Sequence, residues 1–390
     1  MSMPLGRPFL AFGIVWLLGC LPATDEDSSA RSRSTVVQQR LGDWPIFRGN
    51  PQQTGVATSS LPDKLEILWK FSTKDAIEGT PAVANGVVYI GSFDENLYAI
   101  DLQTGKEKWH YKAGALKTPA AVRAGKVYIG NMDGMLHVVD AAKGTKLWTY
   151  ETPNQAEITS GVSFIGNKIL FGCADESLYC LSEKGEKLWT FRVQGGPVLA
   201  TPAIAQDRTF VAGCDSTLHV LDAAKGEELS SLDLGSQIGS TAAVAGDHLF
   251  VGTMGNTVLG VDWKQGKISW VYEPEKTKQP FYSSPAVTEK LIIIGCRDRH
   301  IRALDRVKGT EVWDFAASGQ VDCSPVIVGD RVIVGAKDRT GSLYVLDLAK
   351  GKLRAKIELD GAIIGSPAVS DSRLVIATEK GTVYCLGEKQ

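Results

Sequence analysis

The chain has 390 residues, enough for two ordinary domains or one large all-β domain. Hydrophobic residues make up 44% and charged residues 22%, as in a globular protein with a sizeable core. A formal net charge of −2 excludes a general electrostatic attraction to nucleic acid.

Residues 1–19 read as a secretory signal peptide. Arg7 is the only early positive charge, and an apolar run follows from Phe9 to Leu18. The run is too short to cross a bilayer, which takes about 20 apolar residues in a helix, and it suits a signal-peptide h-region. It ends in Leu17-Leu18-Gly19-Cys20, which resembles the lipobox of bacterial lipoproteins. In that family the cut falls before the cysteine and its sulfur receives a diacylglycerol. Cys20 is therefore the expected lipidation site. The alternative is ordinary cleavage a few residues later, giving a soluble exported protein. The expected location is the periplasm or outer membrane, with membrane contact only through the lipid. Residues 20–42 are polar and aperiodic and read as a flexible tether.

From residue 43 to residue 390 one motif dominates. Its first copy is Thr80 to Trp109, and later copies start near Thr118, Thr159, Thr201, Ser240, Ser284, Ser324 and Ser366. A glycine closing the second strand of each copy recurs as Gly91, Gly130, Gly172, Gly213, Gly252, Gly295 and Gly335, with Ala377 in the last. A repeat of about 40 residues built from short strands predicts a propeller or similar array. Val87-Val88-Tyr89-Ile90 and Leu97-Tyr98-Ala99-Ile100 are apolar at successive positions, as in strands buried on both faces. Asp101 with Gly105 marks the turn after the third strand, where a carboxylate accepts a turn N–H and glycine takes positive φ. Pro81, Pro119, Pro202, Pro285, Pro325 and Pro367 open the innermost strand, whose inner edge is expected to be free.

Seven repeats carry a fourth strand. The last stops at Cys385-Leu386-Gly387 without one, and an orphan copy, Ile67-Leu68-Trp69-Lys70-Phe71, precedes the first. Pairing the two removes an exposed edge. The predicted fold is all-β: an eight-bladed propeller of four-stranded antiparallel blades, closed by an N-terminal strand.

Ala99-x-Asp101-x-x-Thr104-Gly105-x-x-x-Trp109 matches the tryptophan-docking motif of the pyrroloquinoline quinone (PQQ) propeller repeats. Trp69 stands in the orphan strand, and Trp148, Trp189, Trp270 and Trp313 hold the docking place in later copies. Leu229 and Leu353 replace it in two copies, whose blades should be less tightly locked. Asp43-Trp44-Pro45-x-Phe47-Arg48-Gly49-Asn50, then Thr54-Gly55, resembles the N-terminal signature of exported members of this PQQ-repeat family. The resemblance implies eight blades. One branch contains quinoprotein dehydrogenases, which use PQQ and calcium; many carry a disulfide of adjacent cysteines. This chain has no Cys-Cys pair and no carboxylate-rich insertion. Its longest connection, Val271 to Tyr282, offers only Glu273 and Glu275. The other branch resembles the outer-membrane assembly lipoprotein BamB, a docking surface without quinone. The expected role is therefore a non-catalytic interaction scaffold of the bacterial envelope, without cofactor or metal. Its expected partner is an envelope or outer-membrane protein, not nucleic acid, and its expected state a monomer. A PQQ-dependent oxidoreductase is the alternative.

No C-x-x-C pair occurs, and six cysteines besides Cys20 read as buried thiols. Asp94, Asp133, Asp175, Asp298 and Asp338 read as turn caps rather than a ring of metal ligands. His137 and His219 replace the strand residue seen as Tyr98 and sit on different blades, so they do not predict a shared metal. No catalytic motif is present. One patch stands apart from the repeat. The turns of blades 6 and 7 carry Arg297, Arg299, His300, Lys337 and Arg339, where blades 1 and 3 carry Asp94/Glu95 and Asp175/Glu176. These residues form the candidate partner-binding patch.

Overall fold

The computed structural model describes residues 42–275 and 277–389. The expected signal peptide, Cys20 and the tether before residue 42 lie outside the described residues. The doubly apolar runs form the second and third strands of each sheet, as their lack of alternation requires. In blade 1 these are Val87–Gly91 and Asn96–Asp101, buried along nearly their whole length. They lie between a three-residue inner strand, Ala82–Ala84, and an outer strand, Glu107–Lys112. Blades diverge toward the rim, so the outer strand keeps only part of one face against its neighbour. Its Trp109 and Tyr111 are half-buried while Lys108, His110 and Lys112 are exposed. Small inner residues such as Ala82, Ala121, Ala203 and Ala286 let the sheets converge at the axis, and all four are buried.

Eight four-stranded antiparallel sheets of this kind form an eight-bladed propeller. The ring closes as the orphan strand predicts. Glu66–Ser72 pairs with Thr382–Gly387, placing Trp69 opposite Cys385 and Phe71 opposite Val383. In blade 4 the second strand ends at Ala212, not at Gly213. The glycine repeat is therefore offset by one there, and Cys214 is half-exposed while Cys173 and Cys296 are buried.

The inner edges are not free. Residues 44–57 circle the axis and hydrogen-bond to inner strands blade by blade. Trp44 exchanges two 2.8 Å bonds with Val83 of blade 1, and Pro45 O accepts from Val122 of blade 2 at 2.7 Å. Pro51 O accepts from Ile204 at 2.7 Å, Gln52 O from Val244 at 2.9 Å, Thr54 O from Val287 at 2.9 Å and Gly55 O from Ile327 at 2.9 Å. In six of the eight inner strands, those of blades 1, 2, 4, 5, 6 and 7, one backbone N–H would otherwise lack a partner in a buried channel, so the segment satisfies groups the propeller repeat leaves open. The family signature at residues 43–55 is thus the plug of the hub.

Candidate docking surface at the channel mouth

Strand direction gives the propeller two faces. The inner strand of blade 1 starts after Thr80 at one face and ends at the Asn85-Gly86 turn on the other. The first face also carries the turns between second and third strands, and we call it the mouth face. The chain enters at the opposite face, where the Asp43 carboxylate accepts from Asn85 N at 3.2 Å.

At the mouth, neighbouring blades are joined by hydroxyls. Gly161 N donates to Thr201 Oγ1 at 3.0 Å, Thr201 N to Thr241 Oγ1 at 2.9 Å and Thr241 N to Ser284 Oγ at 3.0 Å. Ser284 N donates to Ser324 Oγ at 2.9 Å, Ser324 N to Ser366 Oγ at 3.1 Å and Ser366 N to Thr80 Oγ1 at 3.0 Å. Blade 2 breaks the chain, because Pro119 has neither an N–H nor a hydroxyl. The hydroxyls surround a cavity of about 180 Å³ that Phe47, Glu78, Tyr282 and Asp322 also line.

Four of the five turn aspartates cap as predicted. Asp133 does not, and in blade 2 the Asn131 amide oxygen does so instead, accepting from Asp133 N at 3.1 Å and Met135 N at 2.7 Å. Asp94 accepts from Asn96 N at 3.1 Å, Asp175 from Ser177 N at 3.1 Å, Asp298 from His300 N at 3.0 Å and Asp338 from Thr340 N at 3.1 Å. Each carboxylate has a second use in its own surroundings. Asp94 accepts from Tyr98 at 2.7 Å, Asp175 from Tyr179, and Asp338 from Ser318. In blade 6 the partner is Arg302, whose two terminal nitrogens reach Asp298 at 3.1 and 2.5 Å. Burial opposes the Asp298 charge, but the Arg302 guanidinium holds the carboxyl below its ordinary range.

The basic patch divides in two. Arg297 grips Asp322 with bonds of 2.8 and 2.9 Å and lies 3.9 Å from the centre of the Tyr282 ring. The hydrogen bonds to Asp322 raise its pKa further, against the desolvation that opposes them. His300 faces Asp298 at 3.5 Å and Asp314 at 3.8 Å. These two are therefore committed within blades 6 and 7. Arg299, Lys337 and Arg339 are exposed, and their side-chain nitrogens have no partner among the described residues. On the acidic side several carboxylates are also answered: Glu95 by Lys112 at 3.1 Å and Glu176 by Arg192 at 3.0 Å. Of the five predicted patch residues, Arg299, Lys337 and Arg339 are thus the ones left to meet a partner.

The predicted docking tryptophans sit at the seams. Trp69, Trp109, Trp148, Trp189, Trp270 and Trp313 lie over Gly105, Gly144, Gly185, Gly226, Gly309 and Gly351 of the following blades. Four also donate Nε1 to a turn carbonyl: Trp69 to Leu102 at 2.9 Å, Trp109 to Ala141 at 3.1 Å, Trp270 to Arg306 at 3.1 Å and Trp313 to Leu348 at 2.9 Å. Trp148 and Trp189 have no acceptor among the described residues. Where Leu229 replaces tryptophan, the seam is not left loose. Trp263, from the turn of blade 5, packs edge-on against Phe210 of blade 4 with ring centres 5.1 Å apart. That compensation comes from the opposite partner of the seam and carries no repeat signal.

The side chains present do not make the quinone and calcium centre of the dehydrogenase branch. The mouth cavity is lined by two carboxylates, and Asp322 is already held by Arg297. No group of three or more His, Cys, Asp or Glu that could hold a metal ion occurs among the described residues. Glu273 and Glu275 instead line an outer groove of about 490 Å³ beside Arg302, Glu311 and Asp314.

Comparison with known proteins agrees with this architecture. A family model described as "Outer membrane protein assembly factor BamB" matches residues 62–182, 132–228, 174–314, 214–360 and 297–389. The assembly factor BamB of Burkholderia pseudomallei is 24% identical over 324 residues, 81% of this chain and 65% of that protein. The β-alanine-activating enzyme of Danio rerio is 28% identical over 120 residues, 28% of this chain; the chain spans only 10% of that enzyme's length. The crystal structure of BamB from Moraxella catarrhalis has a TM-score of 0.71 at 19% identity, covering 84% of this chain and 98% of that one. A europium-containing methanol dehydrogenase has a TM-score of 0.76 at 14% identity, covering 90% of this chain and 98% of that one. At such identities the structural likenesses show the fold alone. The family model extends across nearly all of the propeller, and the chain belongs to the PQQ-repeat β-propeller family that it describes, that of the outer-membrane protein assembly factor BamB.

Proposed function

We propose that this protein is a non-catalytic docking scaffold of the bacterial envelope, serving the assembly of outer-membrane proteins. The observation that carries the reading is the division of the basic patch. Arg299, Lys337 and Arg339 are exposed on the mouth face without partners among the described residues, while neighbouring charges are internally paired. Unpaired exposed cations steer and orient an acidic partner without a folding role to fulfil. The partner proposed is an acidic segment of an envelope protein. Export, attachment through Cys20, the monomeric state and independence from quinone and metal belong to the same proposal.

Envelope extracts should be captured on the wild type and on a triple Arg299→Glu, Lys337→Glu, Arg339→Glu variant. The expected result is loss of the captured partner at unchanged melting temperature. Undiminished capture by the triple variant would overturn the assignment. Arg297→Glu is the unsuitable probe, because it places two carboxylates together at Asp322 and disturbs the fold itself.

A further inference from the structure

The plug leaves one blade of the hub open. In blades 1, 2, 4, 5, 6 and 7 the middle residue of the inner strand donates its N–H to the plug, as Val122 does to Pro45 O and Ile204 to Pro51 O. The counterparts in blades 3 and 8, Phe164 and Val369, have no such acceptor among the described residues. Val369 is sealed, at 1% exposure. Phe164 is half-buried and lines a cavity of about 360 Å³. It pairs with Ile169 as Val122 pairs with Val127, so its N–H points toward the axis as theirs do. The path of the plug is the cause. Between Pro45 on blade 2 and Pro51 on blade 4 the chain passes blade 3 without a backbone hydrogen bond to it, turning through Gly49 at φ +81°. The cavity reaches Gly166, in the turn after the inner strand, and so lies on the face opposite the mouth.

Arg123 supplies the one charge among the described residues of the cavity wall. Its guanidinium carbon lies 5.2 Å from the centre of the Phe164 ring, and no carboxylate of the described residues pairs with it. A guanidinium stacked on an aromatic ring keeps its planar edge of N–H groups free, and that edge matches a carboxylate with two parallel bonds. Pro45, Ile46, Pro51 and the Phe164 ring make much of the remaining wall apolar. A Cβ on Gly166 would meet nothing within 4 Å, so the cavity is open to solvent there. Its volume falls in the range of ligand pockets, roughly 300–1,000 Å³.

We propose that this gap in the plug captures the carboxyl end of an extended peptide from a partner protein. A peptide carbonyl accepts from Phe164 N–H, as plug carbonyls do on six other blades, and the terminal carboxylate meets Arg123. Pro45 and Pro51 bound the gap on either side, so a chain paired with Phe164 ends there instead of running across. An apolar final side chain finds Ile46 and the Phe164 ring. The site lies on the other face from Arg299, Lys337 and Arg339, so neither reading depends on the other.

The test titrates the wild-type protein with N-acetylated tripeptides of randomised sequence, once with free carboxyl ends and once amidated, following the Phe164 amide resonance by NMR. The expected result is a shift of that resonance by the acids, with an apparent affinity about tenfold or more above that of the amides, as the loss of a charge-assisted hydrogen bond implies. Arg123→Met should erase the difference between acid and amide, and sodium acetate alone should leave the resonance in place. Equal binding of the amides marks an internal loop, and an equal response to acetate marks a simple anion site. Either result, or no shift at Phe164 in millimolar acid peptide, would overturn the proposal. Should Arg123→Met fail to fold, the acid and amide titrations of the wild type decide by themselves.

Discussion

Trp69 and Leu102 meet across the point where the propeller closes: the indole Nε1 of the last blade's outer strand donates to the Leu102 carbonyl of blade 1 at 2.9 Å. The first and last blades are thereby joined by the same contact that joins blades within the chain. Trp69→Ala removes the ring and leaves the carbonyl without its donor, and should cost about 3 kcal/mol in denaturant unfolding. Trp69→Phe keeps most of the packing and should cost about 1 kcal/mol for the lost hydrogen bond. Trp148→Phe, whose Nε1 has no acceptor among the described residues, should be nearly neutral. Normal melting of Trp69→Ala would mean that this contact does not hold the ring shut.

The tryptophans also explain which turn glycines are replaceable. A Cβ on Gly309 would lie 2.5 Å from the Trp270 ring, and φ there is +71°. Gly266 has φ +61° but nothing within 4 Å, because Leu229 stands where its tryptophan would be. Gly266→Ala therefore meets backbone strain alone, about 1 kcal/mol. Gly309→Ala meets strain and overlap, and should cost about 2 kcal/mol more. Equal midpoints for the two variants in urea would contradict the docking geometry.

Trp263 tests whether the blade 4–5 seam is truly compensated. It is buried against Phe210, with Nε1 donating to Gly246 O at 3.2 Å. Trp263→Ala should cost about 3–5 kcal/mol, as large aromatic truncations in cores do. Leu229→Ala, at an exposed position, should cost less than about 1 kcal/mol. Hydrogen exchange should show the Trp263 variant opening first between blades 4 and 5.

His137 predicts a pH dependence. Desolvation lowers its pKa to about 4 in the folded state, against an ordinary value near 6.5. The unfolded chain therefore binds the proton more readily. Stability is unaffected by this residue above about pH 6.5 and falls as pH drops from there toward 4, by about 2–3 kcal/mol. His137→Tyr places at this position the residue that blades 1 and 3 carry as Tyr98 and Tyr179, and should flatten the loss over that window. Denaturant titrations at pH 7, 5.5 and 4.5 measure it; an unchanged slope in the variant would assign the loss to other groups.

Much of the fold is written in the repeat itself. Successive apolar positions in Val87–Ile90 and Leu97–Ile100 imply burial on both faces, and only stacked sheets supply that. The last repeat ends at Gly387 without an outer strand, and the spare copy around Trp69 fixes the seam by elimination of an open edge. The six docking tryptophans follow from the same repetition, since each copy must solve the same packing problem against the next.

What the repeat does not encode stayed hidden. Arg297 is a turn cation in the sequence, yet Asp322, which neutralises it, lies on the next connection around the axis. Trp263 occupies no docking place and still fills the seam that Leu229 leaves.

Composition and periodicity by themselves determined the blades, their number and the closing strand, because local patterning repeated often enough imposes one way of burying its apolar faces. Only the tertiary structure decided the hub, where residues 44–57 bond to six of the blades and Arg48 is completely buried with one terminal nitrogen on the Pro285 carbonyl. Those contacts join one short, unrepeated segment to strands far apart in the chain, and such pairings leave no period to read.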